Sequence, residues 1–342
     1  MTTPEPPARR PRIIEVAAAA GVSITTVSHA LNGKGRIADA TRTHVERVAV
    51  ELGYRPATNA RSLGRGRHGL LALKVSTPDD GAASFVEFDY FRRLLNAATS
   101  TALQNGFALV TLPSGGGDKP PPYIEADGMI AIDPEYGDEA LAIWRQRGLP
   151  IVTTGRATDD DGSSWIDNDH RNGTIAVLDH LAASGAKRIS LIGPDRETSF
   201  KVDAAAAYLE WCASESTEPT EWTGVSDYSE AVGRRAALEL LSGPNPPDAI
   251  YALIDSLGIG VLSAARELGV EVPGQLLVAA GADSAAAAGG NPALTSTALA
   301  PEEIGAGAVE MLLEMLDDPS TPVANRFVPT KLVIRESSSP AA

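Results

Sequence analysis

The fold class this sequence predicts is an all-α helix-turn-helix head followed by an α/β core of two parallel-sheet lobes. Three observations predict it. Residues 13–31 read as a short helix, a Gly turn and a second short helix rich in small hydroxylated residues, the pattern of a helix-turn-helix. From Leu70 onward, strand-length apolar runs alternate with helix-length segments, which implies parallel strands with helices on both faces. Charge divides at the same place. Residues 1–70 hold 11 Lys and Arg against 5 Asp and Glu, and the remainder 18 against 39. The chain as a whole carries −15, yet a basic head on an acidic body suits a DNA reader joined to a domain that stays off DNA.

Each element has its own signal. Residues 1–10 are Pro-rich and polar and read as a disordered arm. In the first helix Ile13, Val16, Ala17 and Ala20 share one face at helical spacing, and Gly21 ends it because Gly takes the left-handed turn conformation without strain. Ser23 is placed to N-cap the second helix, which turns Val27 and Leu31 inward. Residues 32–35 form a loop. A third helix runs from Thr41 to Leu52 with Val45, Val48 and Leu52 toward the core, and Gly53 stops it. Strands are expected at Leu70–Val75, Phe107–Leu112, Gly128–Ile132, Pro150–Thr154, Arg188–Ile192, Ala249–Leu253, Gln275–Ala280 and Lys331–Ile334. Helices are expected at Tyr90–Asn105, Glu139–Gly148, Asn172–Ser184, Val202–Ala213, Tyr228–Leu241, Gly258–Leu268 and Glu302–Leu316. The tail from Ser337 to Ala342 reads as frayed. A run of this length implies two lobes with a cleft at the carboxyl ends of their strands.

Composition narrows the function classes. The one cysteine, Cys212, has no internal disulfide partner and reads as a core residue, which fits a reducing cytoplasm. Arg9, Arg10 and Arg12 are not followed by an apolar segment, so no export signal is expected. No apolar run approaches membrane-spanning length. The sequence has no Walker A loop, no Gly-x-Ser-x-Gly elbow and no His-Glu-x-x-His, so no enzyme, metal site or cofactor is expected.

Several motifs fall in a recognisable order: Glu15-Val-Ala-x-x-Ala-Gly-Val-Ser-x-x-Thr-Val-Ser28, Asn32, Thr41-Arg42, Leu52-Gly-Tyr-x-Pro56, Ala60-Arg-Ser-Leu63, Asp127-Gly-Met-Ile130, Pro292-x-Leu-Thr-Ser296 and Leu332-Val-Ile-Arg-Glu-Ser337. In this the chain resembles the lactose-repressor/galactose-repressor (LacI/GalR) family over nearly its whole length. The resemblance implies a helix-turn-helix DNA-binding domain at 11–56 and a hinge helix and linker at 57–69. It also implies a periplasmic-binding-protein-like effector-binding and dimerisation core at 70–342. The core's N-lobe is expected at about 70–167 and 299–326, its C-lobe at about 168–298 and 327–336. The implied partners are a double-stranded DNA operator, a small-molecule effector (a sugar, nucleoside or other metabolite) and a second copy of the chain. No membrane partner is implied, and the expected location is cytoplasmic, at the nucleoid.

Site residues follow by position. The second helix is expected in the major groove, with Ile24, Thr25 and His29 as base readers. Thr26, Ser28, Asn32, Thr41 and Arg42 are expected at phosphates, which set register rather than sequence. Residues 57–64 are too few for a stable helix alone, so the hinge is expected to form on DNA. There Ala60 and Arg61 lie at the minor groove, and Leu63 wedges a base step apart and kinks the duplex.

The effector pocket departs from the family pattern. Ten positions past Gly193, where the family carries a ligand-clamping arginine, stands Asp203; the nearest cation is Lys201. An Asn-Asp pair reads Ile254-Asp255, and a late Gly-aromatic-Asp-Asp motif reads Gly281-Ala-Asp283, with its ligand-binding acid taken as replaced by Ala282. An ordinary sugar effector is correspondingly less expected. Tyr90, Phe91, Trp165, Ser199, Lys201, Asp203, Tyr251 and Asp255 are the candidate effector contacts. A regulator of the same fold without an effector remains an alternative. A solute-binding protein is a weaker one, because it would have no helix-turn-helix.

Overall fold

The computed structural model describes residues 11–31, 37–54, 67–75, 89–112, 124–135, 137–157, 162–224, 228–320 and 322–339. The chain divides into two compact units, Met1–Leu70 and Leu71–Ala342. No single described helix is long and apolar enough to cross a membrane.

The first unit holds three helices, α1 (Ile13–Ala20), α2 (Ile24–Leu31) and α3 (Asp39–Glu51). Their apolar faces meet in a small core of Val16, Ala17, Ala20, Val27, Ala30, Val45, Val48 and Ala49. Gly21 sits at φ 66° and lets α1 end in a left-handed cap; α2 then leaves at 102° to α1. The Arg12 N–H donates to Glu15 Oε2 (2.6 Å) at the start of α1. The Thr26 N–H donates to Ser23 Oγ (3.0 Å), so Ser23 caps α2 as expected. Leu52 differs from expectation. It follows the last turn of α3 and is 40% exposed, because α3 presents Val45, Val48 and Ala49 inward and Leu52 falls past the end of that stripe.

The second unit begins with β1 (Leu70–Val75), α4 (Asp89–Gln104), β2 (Ala108–Leu112), β3 (Gly128–Ile132), α5 (Glu139–Gln146), β4 (Ile151–Thr154) and β5 (Ser164–Asn168). It continues with α6 (His170–Ala183), β6 (Ile189–Pro194), α7 (Ser199–Glu215), β7 (Thr220–Gly224), α8 (Glu230–Leu241), β8 (Ala249–Ala252), α9 (Asp255–Leu268), β9 (Leu277–Ala280), α10 (Ala285–Ala288) and β10 (Thr295–Ala298). α11 (Pro301–Asp317), β11 (Arg326–Val328), β12 (Lys331–Val333) and a 3₁₀ turn at Glu336–Ser338 complete it.

These strands form two six-stranded sheets, in the orders β11-β5-β4-β3-β1-β2 and β12-β10-β9-β8-β6-β7. The observed pairs are parallel except the edge pair β10–β12. The chain therefore passes between sheets three times: after β5, after β10 and after β11. β11 pairs with β5, which carries Phe327 and Val328 into the first lobe, slightly beyond the expected boundary. α11 returns to cover the first sheet, burying Ile304, Ala308, Val309, Met311 and Leu312 against β1, β3, β4 and β5. In the second lobe α8 and α9 touch backbone to backbone. A Cβ at Gly233 would collide with the Leu257 carbonyl, and one at Gly260 with that of Glu230. Cys212 is buried and free.

The strands β5, β7, β10 and β11 were not among those expected. β7 and β11 are edge strands with polar, partly exposed residues such as Glu221 and Arg326, so no apolar run marks them. The tail also differs from expectation through Ser339. Ser337 Oγ accepts from the Thr295 N–H (2.8 Å) and donates to the Val278 carbonyl (2.6 Å). Ser338 Oγ meets Thr295 Oγ1 (2.6 Å) and His180 Nε2 (2.7 Å). Both serines are fully buried, since hydroxyls with hydrogen-bond partners, backbone for Ser337 and side-chain for Ser338, can be enclosed without loss.

Ser337→Ala removes two bonds and leaves a buried N–H and C=O unpaired, at a cost of about 1–3 kcal/mol for such groups. The unfolding temperature of the full chain should fall by several degrees. An unchanged transition would show that these bonds do not hold the tail.

Candidate functional site

The head presents a polar face outward. On α2, Ile24 is 46% exposed, Thr25 and His29 are exposed, and Thr26 and Ser28 are half-buried. Ser23 Oγ also bonds Thr26 Oγ1 (2.8 Å), so the Thr26 hydroxyl is tied to the cap at the start of the helix. Thr41 and Arg42 lie half-buried on the first turns of α3, and Arg42 Nε has no hydrogen-bond partner among the described residues. An exposed isoleucine beside hydroxyls, an imidazole and a guanidinium offers an apolar contact, neutral donors and a cation on one surface. That is the mixture that base edges and phosphates require. Asn32 and the hinge residues Ala60, Arg61 and Leu63 lie outside the described residues.

The core contains a cavity of about 590 Å³. Strand ends and the helices that follow build it, as parallel sheets dictate. The first lobe contributes Tyr90 and Phe91 from α4 and Asp133 from just past β3. The second contributes His170 and Thr174 from α6, Phe200 from α7, Tyr228, Tyr251 from β8, Asp255 from α9 and Asp283 from just past β9. The Tyr90 hydroxyl accepts from Asn168 Nδ2 (2.9 Å), and Asn168 Oδ1 accepts from the Ala300 N–H (3.0 Å). Tyr251 meets Thr174 Oγ1 (3.3 Å).

Beside the cavity lies a polar clasp between the lobes. Asp167 Oδ2 accepts from Ser199 Oγ (2.8 Å) and from the Arg156 N–H (3.2 Å), and Asp167 Oδ1 faces His170 Nε2 (3.4 Å). The Arg156 guanidinium pairs with Asp203, and Arg196 with Glu135. Burial raises the Asp133 carboxyl to about 7, helped by the charge of Asp167 and opposed by His170 and Arg196. Burial alone would lower His170; the hydrogen bond and charge of Asp167, with Asp133 and Asp203, raise it above its ordinary value. Burial, with Asp133 and Asp167, pushes Tyr90 well up.

Four of the expected effector contacts line the cavity: Tyr90, Phe91, Tyr251 and Asp255. Four do not. Trp165 packs edge-on against Phe327 (4.7 Å between centroids) on β5, the neighbour of edge strand β11. Lys201 pairs with Glu197 (3.2 Å). Asp203 and Ser199 belong to the clasp, where their partners are Arg156 and Asp167. Asp203 thus meets a cation supplied by the other lobe. The acid taken as lost at Ala282 is present one residue on. Asp283 lines the wall and is gripped by Arg335 Nη1 (2.9 Å) and Nη2 (2.8 Å) and by Ser296 Oγ (2.7 Å). Asp133, His170, Thr174, Phe200 and Tyr228 were missed. Asp133, Asp255 and Asp283 share a signal that finds them: each is the first charged residue after a fully buried strand.

Two family models match the chain: "Bacterial regulatory proteins, lacI family" over residues 12–57 and "Periplasmic binding protein-like domain" over 178–338. Among curated relatives, the HTH-type transcriptional regulator CelR of Thermobifida fusca is 28% identical, covering 96% of this chain and 98% of its own. The HTH-type transcriptional repressor PurR of Proteus mirabilis is 29% identical, covering 95% and 96%. Among solved structures, a CelR–cellobiose complex superposes with TM-score 0.71 at 25% identity over 96% of this chain and 100% of that one. The Lac repressor dimer bound to operator and the anti-inducer ONPF superposes with TM-score 0.81 at 23% identity over 96% and 99%, a likeness of fold.

Asp133 binds its proton more tightly folded than unfolded, its carboxyl moving from 3.8 to about 7. Its contribution to stability is therefore complete below pH about 4 and is lost as pH rises through 7. At about 1.4 kcal/mol per pH unit, Asp133→Asn should raise the core's unfolding temperature by several degrees at pH 8 and by much less at pH 5. Thermal scans at the two values decide it, and an equal change at both would refute the assignment.

Proposed function

We propose that this chain is a member of the LacI family of bacterial regulatory proteins, and that premise sets how it acts. It is a DNA-binding transcriptional regulator of the repressor type with an effector-binding core. In our reading two copies bind a near-palindromic operator, one head to each half-site. The exposed face of α2 carries that reading. It sets Ile24, Thr25 and His29 side by side on a helix held at 102° to its neighbour, in the basic part of an otherwise acidic chain. Ile24 meets a thymine methyl, and Thr25 and His29 bond base edges. Thr26, Ser28, Asn32, Thr41 and Arg42 hold phosphates. Ala60, Arg61 and Leu63 form the minor-groove hinge.

The cavity favours control by a small molecule over a regulator of this fold without one. The cellobiose held by CelR supports the same reading. An effector shifts the balance between two core conformations only by its difference in affinity for them. The hinge at 57–69 carries that difference to the heads, and operator affinity changes by the same factor.

Selection of operators from random duplexes, followed by fluorescence anisotropy, tests the DNA assignments. His29→Ala should relax base preference at one position, with about 1–3 kcal/mol of discrimination lost. Arg42→Ala should weaken all sequences alike and lower the salt slope by about 1. A His29→Ala protein with unchanged base preference would remove that residue from the reading surface. Leu63→Ala should weaken operator binding while the core's unfolding stays the same; equal affinity would refute the wedge.

A further inference from the structure

The charge balance of the cavity wall is one-sided. Its ionisable side chains other than tyrosine are Asp89, Asp133, Asp255, Asp283 and His170, and no Lys or Arg is among its described lining residues. Cations stand nearby but are engaged. Arg196 pairs with Glu135, Arg156 with Asp203, and Lys201 with Glu197. Two of the four carboxylates are likewise answered: Asp283 by Arg335 (2.8 Å) and Asp89 by Arg92 and Arg93. Asp133 and Asp255 are not. Neither carboxyl makes a hydrogen bond or ion pair among the described residues.

These two stand on different lobes. Asp133 follows β3 in the first, held at a positive φ of 47°. Asp255 opens α9 in the second. The wall between them is aromatic, with Tyr90, Phe91, Tyr228 and Tyr251 among its members. An anionic ligand entering here would meet the unpaired carboxyls of Asp133 and Asp255, and the imidazole of the wall, His170, is engaged by Asp167 (3.4 Å). A neutral polyol would cover these two carboxyls without giving either an ion-pair partner, which low-dielectric surroundings penalise. A cation answers both carboxylates, and aromatic faces attract it further.

We propose that the effector of this cavity is a cation, a small molecule whose basic nitrogen or nitrogens meet Asp133 and Asp255 while its body lies on the aromatic wall. This rests on the reading that the cavity is the effector site. A cation bound between carboxylates on opposite lobes draws the lobes together, which gives the ligand its preference for one core conformation.

The test is calorimetric titration of the full chain with probe sets that share a body and differ in the charge of one substituent. One set is tyramine, tyrosol and 4-hydroxyphenylacetate. Another is glucosamine, glucose and glucose 6-phosphate. In at least one set the amine should bind at least tenfold more tightly than its neutral and anionic partners. Asp133→Asn and Asp255→Asn should each weaken the amine at least tenfold and leave the neutral probe unchanged. Should a variant fail to fold, the parent supplies the readout. Asp167 on β5, His170 on α6, Arg196 ahead of α7, Tyr90 on α4 and Tyr228 ahead of α8 face Asp133, and protonating that carboxyl between pH 8 and pH 6 should weaken tyramine, whose amine stays charged across that range, and leave tyrosol unchanged. A neutral or anionic probe that binds as tightly as the amine overturns the charge assignment and leaves the effector site standing. No response to any probe overturns both.

Discussion

Asp167 lies one residue before the end of β5 with its carboxylate enclosed, and its partners come from three other segments of the core: the Arg156 backbone after β4, Ser199 at the start of α7, and His170 at the start of α6. A buried carboxylate is tolerated only where donors converge on it. The structure therefore has to bring a first-lobe turn and two second-lobe helices to one point. The charge pairs Arg156–Asp203 and Arg196–Glu135 cross the same gap. Remove the acceptor and these donors lose the carboxylate on which they converge, a link that joins the first lobe to two helices of the second.

The cavity sits beside that clasp because parallel sheets leave their carboxyl ends open. No further strand covers those ends, and the residues that follow each strand must be polar or must face a ligand. Asp133, Asp255 and Asp283 occupy three such ends. Arg335 satisfies one of them with a bidentate grip, and burial among like charges raises another toward neutrality. The acids of this wall therefore differ in chemistry although they are equivalent in topology. Asp133 and Asp167 stand where the two lobes meet, so their charges respond to groups of both lobes.

Much of this was legible in the sequence, for identifiable reasons. The head declares itself because helical spacing, a turn glycine and a capping serine agree at every step, from Val16 to Ser23 to Val45. The central strands declare themselves because burial on both faces makes them continuous apolar runs, as in Gly128–Ile132. Edge strands such as Thr220–Gly224 escape because one side faces water. Tail residues Ser337 and Ser338 read as a frayed end, since nothing local says that their hydroxyls complete a sheet some 40 residues away in sequence. Within the site, Tyr90, Phe91, Tyr251 and Asp255 were found by position, whereas the strand-end acids Asp133 and Asp283 were not. Asp203 was placed on the ligand because its partner, Arg156, comes from a distant turn. Pairings across the lobes are properties of the folded chain, and residue type alone does not reveal them.

The triple passage between the sheets also governs how the molecule is made. The first lobe cannot close when its own strands have left the ribosome. Its edge strand β11 and its covering helix α11 lie at Arg326–Val328 and Pro301–Asp317, after the entire run from β6 to β10 of the second. Until then the apolar face formed by β1, β3, β4 and β5 has lost the cover that Ile304, Ala308 and Leu312 give it. The nascent chain must carry that exposed surface from Asn168 until Pro301–Asp317 has been made, and completion of the two lobes becomes a single late event.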